Sequence, residues 1–154
     1  MRHSNIITSS YFIPSNTNCP KSSIDDKQFI KYKCDDTSTS HSFIHCSWDN
    51  NGLTSKGGAI HIAFSASHSS IILKVDGCTF LHCHETSSNG AGAVYAQHIG
   101  TTTVENSLFY DCECAHNPDY PEGAGINFNL IHTYPLIKSC SFISCVSGDD
   151  GGGC

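Results

Sequence analysis

One short phrase, met four times, limits what this chain of 154 residues can become. A Phe is followed three residues later by Cys, then by a polar loop, then by small residues ahead of an apolar run. The copies read Phe43-Ile44-His45-Cys46 with Gly57-Gly58-Ala59-Ile60, Phe80-Leu81-His82-Cys83 with Gly92-Ala93-Val94, and Phe109-Tyr110-Asp111-Cys112 with Ala124-Gly125-Ile126. The fourth is Phe142-Ile143-Ser144-Cys145 with Gly152-Gly153-Cys154. A unit that cannot bury its own apolar face must stack on others like itself, so the repeat governs the fold.

The Phe positions lie 37, 29 and 33 residues apart. That is too long for a hairpin and suits one rung of three short strands with corners. The second unit predicts strands at 59–64, 71–75 and 78–83, with the Ser-rich stretch from Ser65 to Ser70 as a corner. The third predicts 93–99, 101–105 and 107–112, and the fourth 126–131, 136–138 and 140–145. No window shows a 3.6-residue period, and β-branched and aromatic residues fill the runs, so the class is all-β. Most length variation falls in the loop after the Cys and in the polar corner, as it does when loops absorb insertions around a wall in register. Each strand then pairs in parallel with its counterpart one rung on, about 4.8 Å away.

In such a stack Phe43, Phe80, Phe109 and Phe142 form one internal ladder, each ring contributing roughly 1.5–3 kcal/mol on burial. A Phe and the residue three later fall on opposite faces of a straight strand, so an inward Cys requires a bend between them. His45 and His82 precede repeat Cys residues and are expected to face solvent. Small residues before Ile60, Val94 and Ile126, marked by Gly57-Gly58, Gly90 with Gly92 and Gly123 with Gly125, fit a corner where another backbone comes close. Residues 1–28, rich in Ser, Asn, Thr and Lys, read as an irregular polar lead-in with one strand at 6–13, and residues 29–154 as the repeat domain.

Composition narrows the partners. Charged residues make up 14% of the chain and the net charge is −6 with ten His counted neutral, which excludes a nucleic-acid surface and a basic lipid-binding run. No apolar run reaches the roughly 18 residues of a membrane-spanning helix, and the first 23 residues carry no signal-peptide core. Ten Cys point to an oxidising compartment, although their spacing follows the repeat and not a small disulfide scaffold.

The phrases, and Gly57-Gly58-Ala59-Ile60 most literally, resemble the repeats of the polymorphic outer-membrane protein family. Cys46, Cys83, Cys112 and Cys145 stand where the bacterial motif has Asn, so the likeness is closer to Cys-bearing versions on protist surfaces. The resemblance covers residues 29–154. It implies a right-handed parallel β-helix of about three to four coils, pectin-lyase-like in architecture. It further implies a cell-surface or secreted, non-enzymatic scaffold or adhesin-like role with no inherited active site.

Some parallel β-helices of the polygalacturonase-like family use a Gly-Asp-Asp phrase for paired-carboxylate chemistry, and Gly148-Asp149-Asp150-Gly151 matches it. A polysaccharide hydrolase or lyase using Asp149 and Asp150 is therefore the alternative. The companion Asn-Thr-Asp, Gly-His-Gly and Arg-Ile-Lys phrases are missing, the only Arg being Arg2, so the pair reads as a solvated turn. Cys78, Cys83 and His84, or Cys112, Cys114 and His116, bring soft metal ligands close in sequence, but without a paired Cys-x-x-Cys set. Cys83 with His84 is poorly disposed as a nucleophile pair, being adjacent. No catalytic, cofactor-binding or metal-ligating residue is assigned. Loops 47–56 and 113–122, with Trp48 and Tyr120 among polar residues, are the expected contacts to a host protein or glycan. The fourth copy stops at Cys154, where the others begin a new strand. The expectation is a longer repeat protein, or an open last coil in end-to-end contact with a partner.

Overall fold

A computed structural model describes residues 40–49, 58–85, 91–115, 123–148 and 153 in full, and the backbone alone at 24–25, 28–29 and 32–34. The predicted strand at 6–13 and residues Gly57, Gly90, Gly152 and Cys154 lie outside the described residues. Fifteen strands and no helix are present among them: β1 (Ile24–Asp25), β2 (Gln28–Phe29), β3 (Tyr32–Cys34), β4 (His41–Ile44), β5 (Ser47–Asp49), β6 (Ile60–Asp76), β7 (Thr79–Leu81) and β8 (His84–Glu85). They continue with β9 (Val94–Glu105), β10 (Leu108–Tyr110), β11 (Glu113–Cys114), β12 (Ile126–Asn129), β13 (Leu136–Lys138), β14 (Ser141–Ile143) and β15 (Val146–Ser147). The fold is all-β and its described strand pairs are parallel.

Three sheets result. Seven strands form the largest, along β1-β4-β6-β9-β12 with β3 on β6 and β13 on β9; five form β14-β10-β7-β5-β2; three form β15-β11-β8. The chain visits the sheets in the same order each time, which makes residues 58–85, 91–115 and 123–148 three successive tiers. Parallel pairing without an intervening helix is possible because a whole tier, not a crossover helix, returns the chain to the sheet.

Phe80 pairs with Phe109 and Phe109 with Phe142. Their rings stack at centroid separations of 4.7 Å in both steps, with interplanar angles of 7° and 9°. That distance is the strand spacing itself: equivalent rotamers on registered parallel strands place ring over ring.

The first copy departs from the expected ladder. Trp48, not Phe43, pairs with Phe80 and stacks on it at 4.7 Å and 8°. Phe43 belongs to the large sheet, opposite Val75, and meets Trp48 edge-on at 5.5 Å. Cys46 moves with it: its carbonyl accepts from Thr79 N–H as the Cys78 carbonyl accepts from Leu108 N–H and the Ser107 carbonyl from Ser141 N–H. One column is thus Cys46, Cys78, Ser107 and Cys140, and the other is Cys83, Cys112 and Cys145. Each tier holds two phrases with the same needs, an inward apolar residue, a bend and a small residue. Phe43-Ile44-His45-Cys46 imitates the second while occupying the place of the first, Val75-Asp76-Gly77-Cys78. With Trp48 in the ladder the steps are 32, 29 and 33 residues, more even than those counted from Phe43.

The bends that inward Cys residues require are present. His45, Asn106 and Ser139 have φ of 50°, 50° and 53°, with Gly77 at 61° in the same column; His82, Asp111 and Ser144 have 50°, 51° and 54°. A left-handed residue reverses the strand's alternation, so the apolar residue before it and the thiol after it face the same interior. Polar side chains that bond locally tolerate that conformation best, which accounts for His, Asn and Asp there.

Two expected boundaries differ. Ser65 to Ser70 is no corner: β6 runs through it, and the mismatch with β9 is absorbed by register shifts between Ala63 and His68 and between His68 and Ile72. Likewise 93–99 and 101–105 merge into β9. Strands β8, β11 and β15, each two residues long, follow the Cys and were not anticipated. The small-residue corner behaves as expected. A Cβ on Gly92 would drive into the carbonyl oxygens of Ala124, Cys83 and Glu113, and one on Gly58 into that of Gly92.

Candidate functional site

The predicted site residues divide sharply. Asp149 and Asp150 lie outside the described residues, as do 50–56 of the first expected contact loop and 116–122 of the second. Trp48 is described and fully buried, so it serves the ladder and offers nothing to a partner. The first metal set does not assemble, since Cys78 and Cys83 stand in different columns and His84 reaches outward to Glu113; the second includes His116, which lies outside the described residues. Among the described residues no group of three His, Cys, Asp or Glu could hold a metal ion. Cys83 and His84 face opposite ways, the thiol towards the Leu81 carbonyl at 3.4 Å and the imidazole Nδ1 towards Glu113 Oε2 at 3.4 Å.

Seven described cysteines, Cys46, Cys78, Cys83, Cys112, Cys114, Cys140 and Cys145, are thiols outside any disulfide. In both columns the thiol approaches the carbonyl two residues back, the one exposed by the bend: Cys78 reaches Asp76 O at 3.4 Å and Cys112 reaches Tyr110 O at 3.7 Å. It also approaches the carbonyl one tier behind, Phe43 O for Cys78 and Phe80 O for Cys112. Ser107 fills the same place in its column, donating to Glu105 O at 2.7 Å and accepting from Cys78 N–H at 3.1 Å.

Vertical neighbours set the acidity. Cys46 hydrogen-bonded to Cys78, together with burial, pushes the Cys78 thiol far up. At Cys112 the Cys145 thiol pulls the value down while Cys83 and burial push harder the other way, leaving it at about 12. Contact with Cys112 and burial raise Cys145 as well. Cys78, Cys112 and Cys145 thus stay protonated at neutral pH and act as compact groups with a weak donor.

Chemistry-bearing side chains gather instead on the outside of the five- and three-stranded sheets. Asp49, at the end of β5, meets His82 Nδ1 at 2.9 Å; Asp111, one tier further on, lies 3.9 Å from His82 Nε2. Tyr110 stands edge-on to His82 at 6.1 Å, and the pair of His84 with Glu113 adjoins. The two bends aim these groups outward: His82 and Asp111 are themselves left-handed residues. All are 31–59% exposed, so each pairing contributes at most about 1 kcal/mol, although His84 Nε2 is itself shut off from solvent. The face thus offers carboxylate acceptors, imidazole nitrogens and an aromatic edge across three tiers, a polar contact surface with an apolar strip. Sequence reasoning missed this set because the partners that meet are 28 to 33 residues apart. Aligning Trp48 with Phe80 would have found it.

No family model, no curated protein and no solved structure matches the chain.

Proposed function

We propose that the three sheets are the walls of a right-handed parallel β-helix of about three to four coils. On this reading the chain is a non-enzymatic scaffold, adhesin-like and displayed at a cell surface or secreted. The observation that carries it is the division of labour between inside and outside. Inner columns keep apolar or small side chains from tier to tier, aromatic at Trp48, Phe80, Phe109 and Phe142, while an outward register mixes charged, aromatic and aliphatic residues: Asp49, Leu81, Tyr110 and Ile143 follow one another. A wall that is constant within and variable without suits presentation of differing contacts on a rigid support.

The intervening segments fit that role. In sequence, 86–90, 116–122 and 149–152 each stand between a strand of the three-stranded sheet and the small-residue corner of Gly92, Gly125 or Gly153. Because 47–49 and 113–114 are strands β5 and β11, segments 50–56 and 116–122 are the parts of the two loops proposed to meet a host protein or glycan, beside the polar face around His82.

Replacing 50–56 and 116–122 with Gly-Ser linkers tests this. Binding to arrayed glycans or host surface proteins is expected to fall at least tenfold while the thermal unfolding midpoint stays in place. Turnover of polyuronides that disappears in Asp149→Ala or Asp150→Ala would instead establish the hydrolase or lyase reading.

A further inference from the structure

We infer that the two inward thiol columns are binding sites for copper(I), one ion bridging each pair of vertically adjacent sulfurs. The spacing of the thiols, their surroundings and the one break in the columns all bear on that ligand.

The sulfurs repeat as regularly as the rings beside them. Cys83, Cys112 and Cys145 follow bends of nearly one φ, 50°, 51° and 54°. Each thiol approaches the carbonyl two residues back, at 3.4, 3.7 and 3.7 Å. Cys112 and Cys145 also approach the carbonyl of the Phe one tier behind, at 3.8 and 3.6 Å. Equal contacts mean equal rotamers, so each sulfur is carried onto the next by the step of the ladder rings, which rise 4.7 Å per tier. The other column behaves likewise: Cys46, Cys78 and Cys140 each stand 3.4 Å from the carbonyl two residues back.

That step selects the chemistry. A disulfide requires Cβ atoms about 3.5–4.5 Å apart and sulfurs at about 2 Å, closer than tiers in register stand. Zinc and iron–sulfur clusters require four ligands, and among the described residues no group of three His, Cys, Asp or Glu could hold a metal ion. A cation held by two opposed thiolates needs sulfurs about 4.6 Å apart, twice a metal–sulfur bond of about 2.3 Å. Of the metals that thiolates favour, copper(I) is the one left. The ion then fits midway between two tiers with neither backbone displaced.

Charge fits as well. Cys46, Cys78, Cys83 and Cys112 are buried, where an uncompensated ion is costly. Each copper(I) enters as one thiol proton leaves, so a column stays neutral. Cys83, Cys112 and Cys145 take two ions and release two protons; Cys46 with Cys78 takes one ion and releases one proton. Ser107 interrupts that second column, standing between Cys78 and Cys140. Its hydroxyl is a hard ligand, already committed to Glu105 O and Cys78 N–H. Because each site exists only where tiers are stacked and sealed, copper enters as the chain folds.

The test refolds the full 154-residue chain anaerobically with copper(I), strips loose metal with a copper(I) chelator and counts copper per chain. Differences between variants are read, so any copper on Cys19, Cys34, Cys114 or Cys154 cancels. Cys112→Ser is expected to lose two ions, Cys83→Ser and Cys46→Ser one each, and Cys140→Ser none, while Ser107→Cys gains two. The fold already accepts Ser at Ser107, and an unchanged circular dichroism spectrum checks each variant. Bound copper should show two sulfur neighbours in X-ray absorption and raise the thermal unfolding midpoint of the wild type. Equal losses from Cys112→Ser and Cys140→Ser, no gain in Ser107→Cys, or copper with three or more sulfur neighbours would overturn the proposal. This outcome is independent of loop binding, since no substitution touches 50–56 or 116–122.

Discussion

Phe109 and Phe142 occupy the same register position, on strands that pair with one another, yet they differ in circumstance. Phe109 lies between two rings and is sealed from solvent; Phe142 has a ring on one side and is partly open. The side chain, the bend that follows it and the thiol three residues on are alike. What differs is the neighbour above. Stability in such a stack resides in contacts between tiers, so one residue type is worth more in the middle than at the last described tier.

The largest test of that contrast is truncation of the ladder. Phe109→Ala should cost about 3–5 kcal/mol, as a fully buried aromatic does. Phe142→Ala should cost about half as much, because among the described residues a ring meets only one of its two faces. Denaturant midpoints measure both, and equal losses would break the contrast between tiers.

The thiol columns sharpen it through pH. Cys112 has its folded value at about 12 against an ordinary 9.0. The unfolded chain therefore loses this proton first. The stabilisation is complete below pH 9 and disappears as the pH climbs towards 12. From pH 9 to 11 this one group should remove about 2 kcal/mol. Unfolding followed across that range should give a steeper fall for the wild type than for Cys112→Ala, and parallel curves would refute the assignment.

The smallest effect belongs to the outside. His82→Ala removes the contacts to Asp49 and Asp111 from a half-exposed face, and its cost should stay under about 1 kcal/mol. A loss as large as that of a ladder residue would mean the outer face is structural.

Much of this arrangement could be read from the chain. Phe80, Phe109 and Phe142 announced themselves because copies two to four share one order of phrases. Small residues before Val94 and Ile126 marked the corner because only a missing side chain lets three carbonyls converge on Gly92. Phe43 misled for a physical reason: both bends in a tier impose the same local demand, so a stretch suited to one is equally suited to the other. Only the column above it decides. The polar cluster at His82 was hidden likewise, since Asp49, His82 and Asp111 become neighbours solely through register. Strands β8, β11 and β15 were missed because two residues carry no period.

The even rise of the aromatic column has a consequence for how such a gene can change. Excising residues 80–108 would bring Phe109 onto Trp48, with the same bend and thiol still in sequence behind it, and duplicating them would insert one more storey. Unequal recombination can then lengthen or shorten the protein by whole floors without redesigning a joint.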